Sequence, residues 1–256
     1  MGSSLHIKEI FTKKEIQRFI RFPDKLYSGN RYYVPGIKRV ELQTLSIENN
    51  PAFEFCRARY WLAIREGTIV GRIAGIINEK YNEEYRIKYA RFGWLDFVND
   101  FEVLLSLLNA VENWAKREHM DYIHGPLGFT SFDSSGILIE GFYEMPTSFA
   151  HYNFPYYSDL LEQAGYEKEV DWVEYNVIVP PTIPERFESG SELVKKRYGL
   201  KSAELHNKKD LVKYSDELFR LLNLEYKNIY SFSELTDKQV QLYKKQFISI
   251  LRPEFI

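Results

Sequence analysis

The sequence predicts an α/β fold built on a mixed central sheet with helices on both faces, and three observations carry that expectation. Residues 59–65 and 69–77 both read as strands, separated by Glu66-Gly67, a hairpin turn pair with glycine where positive φ is needed. Residues 87–98 read as a strand that runs into a helix over 100–119, and residues 122–125 read as a strand again. Such a strand–helix–strand unit implies parallel pairing through a right-handed crossover. Finally, 19 Tyr and 18 Phe favour sheets and thick cores over a plain helical bundle.

The remaining elements follow in chain order. Residues 5–12 alternate weakly as a short strand. Ile16, Phe19 and Ile20 stand at helical spacing within residues 13–21. Residues 23–51 are irregular, with a short helix expected near 39–45. In the strand at 87–98, Phe92, Trp94, Asp96 and Val98 are expected on one face. Leu104, Leu107, Leu108, Val111 and Ala115 form one apolar stripe on the helix that follows. Asn99 is the expected cap of that helix, with Glu102 completing a capping-box-like pair. A short strand is expected at 147–152, a helix at 156–164 ended by Gly165, and a final strand at 170–179 stopped by Pro180-Pro181. Trp61, Trp94, Trp114 and Trp172 are expected in the core.

Beyond Pro180 the chain reads as if it starts over. Residues 8–19 and 203–214 align at an offset of 195 residues, Glu9 with Glu204 and Lys13-Lys14 with Lys208-Lys209. Two helices follow, at 210–226 and 236–251, the second opening on a Thr-x-x-Gln capping box. Pro253-Glu254-Phe255 echoes Pro51-Ala52-Phe53. The expected organisation is therefore residues 1–180 as one domain, 181–190 as linker, and 191–256 as the helical start of a second, truncated repeat. Its helices are expected to pack on a missing domain or a second chain.

Composition excludes several classes. A net charge of −2 gives no basic nucleic-acid footprint. No apolar stretch approaches the roughly 18–20 residues of a bilayer span, so no membrane partner is expected. With Cys56 the single cysteine and no histidine cluster at ligand spacing, neither a disulfide nor a metal is expected. The simplest location is the cytoplasm.

The order of elements, together with Trp61–Gly71, Ala90–Phe97 and Gly165-Tyr166, resembles the GNAT (acyl-CoA N-acyltransferase) superfamily. Asn50–Phe55, Ala90–Trp94 and His124–Phe129 further resemble a bacterial group of tandem GNAT-like proteins of uncharacterised activity. The resemblance implies an N-acyltransferase acting on a small-molecule or peptide amine. Two departures stand against it. The family's phosphate-binding Arg/Gln-x-x-Gly-x-Gly/Ala is replaced by Phe97–Val103, which has no glycine and brings Asp100 and Glu102. Like charges at about 4–6 Å cost on the order of 1 kcal/mol even in water. The family's acidic tyrosine, four residues before the Gly-Phe pair, corresponds here to Leu161.

No cofactor is therefore expected in the first repeat, which is read as a non-catalytic partner shaping a substrate groove, with acyl-CoA left to a complete second repeat. The alternatives are a non-enzymatic binding or interaction module, or an aminoacyl transferase of the Fem type. Asp96 is the candidate base on the central strand. Thr130, Ser131, Asp133 and Glu140, in the glycine-punctuated loop at 125–141, are substrate-binding candidates, as are Tyr156 and Tyr157.

Overall fold

The computed structural model describes residues 4–147, 150–203 and 205–250. Two units emerge, residues 1–169 with 225–239, and residues 170–224 with 240–256. The segment Glu225–Gln239 thus belongs with the first unit, although it lies far beyond the Pro180 linker in sequence.

The first unit is a five-stranded mixed sheet in the order β1-β2-β3-β4-β5, formed by Leu5–Glu9, Cys56–Arg65, Thr68–Asn78, Tyr89–Phe97 and Tyr122–His124. All neighbours are antiparallel except β4 and β5, which run parallel. The hairpin turns at Glu66 and Gly67, both at positive φ, 50° and 74°. Helix α4 (Phe101–Arg117) covers one face, its stripe from Val103 to Ala115 fully buried, together with α5 (Tyr156–Gln163). Gly71 and Gly75 let α4 approach, since a Cβ on either would stand 2.8–2.9 Å from Leu107 or Trp114. The opposite face is covered by α1 (Lys13–Leu26) and α2 (Lys38–Thr44), around Ile16, Phe19, Ile20 and Leu45. A helix the sequence reading did not anticipate, α3 (Glu79–Tyr85), joins β3 to β4 and is capped by the Asn78 side chain.

Strand β4 departs from the expected alternation. Arg72 pairs with Asp96 but Ala74 pairs with Gly93, so three residue steps on β4 face two on β3. This is a β-bulge, and Trp94 within it takes φ 46°. The extra residue reverses the phase of the strand. Phe92, Leu95 and Phe97 pack on the α4 face, whereas Trp94 packs on the α1 face and Asp96 meets Arg72 there. The expectation that Phe92, Trp94 and Asp96 share a face is corrected by this bulge.

Three further expectations are corrected. Asp100, not Asn99, caps α4, accepting from the backbone N–H of Glu102 and Val103. No strand forms at 170–179, where Val173, Tyr175, Val177, Ile178 and Val179 are exposed. An alternating strand needs an edge to pair with. Trp172, in the same segment, is half exposed and not a core residue. The strand expected at 147–152 falls partly outside the described residues, and those described are irregular.

Segment Glu225–Gln239 straps the first unit. Asn78 donates to Ser233 Oγ at 3.0 Å, and the buried Arg91 guanidinium donates to the carbonyls of Ser231 and Gly128 while lying over the Tyr81 ring. The Thr236/Gln239 capping box forms as the sequence predicts.

The second unit contains α6 (Glu185–Tyr198), α7 (Lys208–Glu225, its last residue counted with the first unit) and α8 (Asp237–Ile250), of which residues 240–250 belong here. Lys244 of α8 pairs with Asp216 of α7 at 2.7 Å. No strand precedes α7 among the described residues, but its cap repeats that of α1. In α1, the backbone N–H groups of Phe11 and Thr12 donate to the Glu15 carboxylate. Ahead of α7, those of His206 and Asn207 donate to Asp210, each 195 residues further on. The match of 253–255 to 51–53 lies outside the described residues.

Candidate functional site

Beyond its three-residue pairing with β5, strand β4 runs on without a strand neighbour on that side among the described residues, and at Phe97 helix α5 supplies hydrogen-bond partners. The Tyr156 hydroxyl donates to the Phe97 carbonyl, and the Phe97 N–H donates to the Tyr157 hydroxyl at 3.1 Å. A central strand can leave its sheet partner only if its polar backbone is satisfied otherwise. The two tyrosines provide that.

From Tyr157 a chain of hydrogen bonds passes around the strand edge to Asp96. The Tyr157 and Tyr27 hydroxyls are 2.8 Å apart, and Tyr27 donates to Asp96 Oδ1 at 2.8 Å. Each hydroxyl has one hydrogen. Since Tyr27 gives its hydrogen to Asp96, Tyr157 must donate to Tyr27, and the chain has a single direction ending on the carboxylate. Tyr27 stands there because it is the C-terminal cap residue of α1, while Arg72 lies across β3 and donates Nε–H to Asp96 Oδ2 at 2.7 Å. Arg72 also donates to the Phe19 carbonyl and lies over the Phe19 ring.

Asp96 has no exposed surface, whereas the side chain of its remaining partner, His151, is 27% exposed. His151 Nε2 lies 3.3 Å from Asp96 Oδ1. The carboxylate can only accept, so Nε2 carries the hydrogen of this contact. Burial alone would raise the Asp96 pKa. The charge of Arg72 and the hydrogen bonds from His151 and Tyr27 outweigh it and hold the group below the usual carboxylate range. Burial, and then the Asp96 charge, push Tyr27 and Tyr157 well above the ordinary phenol value. Asp96 is thus a fully buried carboxylate that stays ionised at neutral pH, and His151 is the part-exposed member of its described partners.

The sequence candidates divide in two. Asp96, Tyr156 and Tyr157 come together at the end of β4. Thr130 and Asp133 close their own turn, the Asp133 carboxylate accepting the Thr130 N–H at 3.0 Å and Thr130 Oγ1 accepting the Phe132 N–H. Ser131 and Glu140 are exposed. Sequence reasoning missed Arg72, His151 and Tyr27. Arg72 carries a readable signal, a lone charge inside Ile69-Val70-Gly71-Arg72-Ile73-Ala74, which asks for a buried counter-ion. His151 and Tyr27 have none, since they arrive from 55 and 69 residues away.

Burial raises the Asp133 pKa to about 6. A carboxyl whose folded pKa exceeds its unfolded value favours the fold while protonated, and that advantage is lost as pH rises from about 4 through about 6. Asp133→Asn keeps an acceptor for Thr130 without the charge. Its stability relative to the parent chain is expected to be about 1–2 kcal/mol more favourable at pH 7.5 than at pH 4.5, read by urea denaturation at both. Cys56 is buried, and burial pushes its thiol up to about 12, which leaves it inert at neutral pH. Among the described residues no group of three or more His, Cys, Asp or Glu side chains could hold a metal. No described helix is long and apolar enough to cross a membrane.

No protein-family model matches the chain. Among curated proteins it is similar to Protein YghO of Escherichia coli (strain K12), 32% identical over 165 residues that make up 64% of this chain and 42% of that protein. It is also similar to the bacterial ceramide synthase of Caulobacter vibrioides, 24% identical over 255 residues, 98% of this chain and 65% of that enzyme. The chain therefore spans less than two thirds of the length of either relative. Its neighbours among solved structures are GNAT acetyltransferases. One is an aminoglycoside acetyltransferase from a soil metagenome in complex with sisomicin, at 12% identity and TM-score 0.41, covering 68% of this chain and 97% of that one. Another is a tandem GNAT protein of clavulanic acid biosynthesis, at 13% identity and TM-score 0.39, covering 63% of this chain and 43% of that one.

Proposed function

We propose that the chain is part of an N-acyltransferase that joins an acyl thioester to the amine of a long-chain acceptor, with His151 as the general base. The observation that carries this reading is the part-exposed histidine held on a buried, ion-paired aspartate at the end of the central strand. Amide formation needs a base for the attacking amine. The nitrogen attacks the thioester carbonyl, the C–N bond forms, and the amine proton passes to His151 Nδ1. The C–S bond then breaks, and the leaving thiolate takes up the proton held by the His151 imidazolium. Asp96 fixes the imidazole tautomer and stabilises the imidazolium while staying ionised, as a third group does in other nucleophile–base arrangements.

The choice of a long-chain amine rests on the similarity to the ceramide synthase, whose product is an N-acylated lipid amine and which aligns over 98% of this chain. This reading gives the first unit a chemical role, in place of the passive groove expected from sequence. The repeated cap at Asp210 supports residues beyond 200 as the start of a second repeat of the same kind, completed in chains of the relatives' length.

The test incubates the protein with palmitoyl-CoA and sphinganine and looks for the amide by mass spectrometry and for released thiol by a colorimetric reagent. Stoichiometric amide and thiol are expected. Thiol release without amide would sink the reading in favour of a thioesterase, and neither product would favour a binding module.

A further inference from the structure

We infer that the acyl donor is recognised through its acyl–pantetheine arm and not through a nucleotide diphosphate, so that an acyl-phosphopantetheine on a carrier protein serves at least as well as acyl-CoA. This rests on the acyl-transfer reading above. The N-terminus of α4 follows β4 directly. A helix start at the carboxyl end of a parallel strand is the place where such a sheet offers free N–H groups and a positive dipole end to a diphosphate.

Here the chain fills that place itself. Asp100 Oδ1 accepts from the Glu102 N–H at 2.9 Å and from the Val103 N–H at 3.4 Å. Asp100 Oδ2 takes the Arg65 guanidinium at 2.6 Å, and the other arm of Arg65 is spent on the Glu102 carboxylate at 2.7 Å. Glu102, in the first turn of the helix, is exposed. Burial opposes ionisation of Asp100, but Arg65 and the two backbone N–H groups outweigh it, so the carboxylate stays charged. The turn cannot swing aside to admit phosphates, because Val103 and Leu104 are fully buried against the sheet and no glycine lies between Phe97 and Val103. A diphosphate seated on these N–H groups would have to displace the Asp100 carboxylate beside the charged Glu102, with the Arg65 guanidinium already paired to both. Free pantetheine is neutral, and the carrier-bound arm keeps one phosphodiester charge, so neither brings a diphosphate to this helix end.

Three donors test the inference: palmitoyl-CoA, palmitoyl-pantetheine and palmitoyl-acyl carrier protein, each with sphinganine. The kcat/KM for palmitoyl-CoA is expected within about 3-fold of that for palmitoyl-pantetheine, and a preference for CoA of about 100-fold or more overturns the inference. A higher kcat/KM for the carrier protein than for both identifies the protein-bound source, and a lower one overturns the carrier-protein part. Calorimetric titration with adenosine 3′-phosphate 5′-diphosphate, the nucleotide half of CoA, gives a reading independent of turnover. No heat is expected at about 1 mM ligand, and micromolar binding overturns the inference. Asp100→Gly, which frees the N–H groups, is expected to tighten nucleotide binding at least about 10-fold, and no gain counts against the blocked seat. If no donor turns over, the acyl-transfer reading fails, while the nucleotide titrations still decide whether this helix end is closed to a diphosphate.

Discussion

His151→Ala is expected to lower the rate of amide formation by about 10²–10⁴-fold, the range for removal of a positioned general base. The loss should fall on kcat, since the imidazole takes its proton in the transition state and not in the ground-state complex. The fold should survive, because His151 is part-exposed and its removal leaves Asp96 with Arg72 and Tyr27. Thermal unfolding of the variant should therefore stay within a few degrees of the parent. A merely structural histidine would show the reverse pattern, lost stability with a proportionate loss of activity. A variant retaining more than about a third of the parent rate would remove His151 from the mechanism. His151→Gln helps to separate the roles, since an amide can still donate to Asp96 but has no basic nitrogen, so it should be as inactive as the alanine variant.

Asp96→Ala is expected to cost about 3–5 kcal/mol of folding stability, because it leaves the Arg72 guanidinium buried without its counter-ion. Arg72 is 4% exposed and Asp96 is not exposed at all, so water cannot replace the lost partner. Denaturant unfolding at pH 7 measures the loss, and a change under about 1 kcal/mol would show that Asp96 is not the buried counter-ion. The double variant Arg72→Met/Asp96→Leu should recover much of the difference, as buried ion pairs replaced whole by apolar groups commonly do. The pH dependence has a definite sign. The folded pKa of Asp96 lies below its unfolded value, so the stability it contributes is full above an unfolded pKa of about 3.9 and is lost only as pH falls through the lower folded value. The gap between parent and Asp96→Ala should thus persist down to about pH 4 and narrow below it.

Both predictions act on residues that the sequence exposes unequally. Asp96 is visible as the one carboxylate of a strand whose other charge is Arg91 and whose remaining side chains carry no charge. The acidic start of α4 is equally plain, because the absence of glycine between Phe97 and Val103 and the presence of Asp100 and Glu102 are local. The hairpin through Glu66-Gly67, the helix beginning at Phe101 with its apolar stripe, and the parallel strand at Tyr122 are set by turn chemistry and by periodicities of two and 3.6, which neighbouring residues are enough to display.

What the sequence by itself determined is therefore the β2–β3 hairpin, the β4–α4–β5 unit and the acidic start of α4. Only the tertiary structure decided the phase of β4 and the composition of the candidate site. One extra residue in a bulge turns Asp96 toward Arg72, and a bulge depends on how two strands settle against their helices, which no periodicity records. His151 and Tyr27 reach the carboxylate from opposite ends of the first unit, at separations where sequence spacing carries no information about contact. The exposed residues at 170–179 make the same point in reverse. Their alternation is that of a strand, but alternation fixes only which side chains can share a face, and pairing requires an adjacent edge with free N–H and C=O groups.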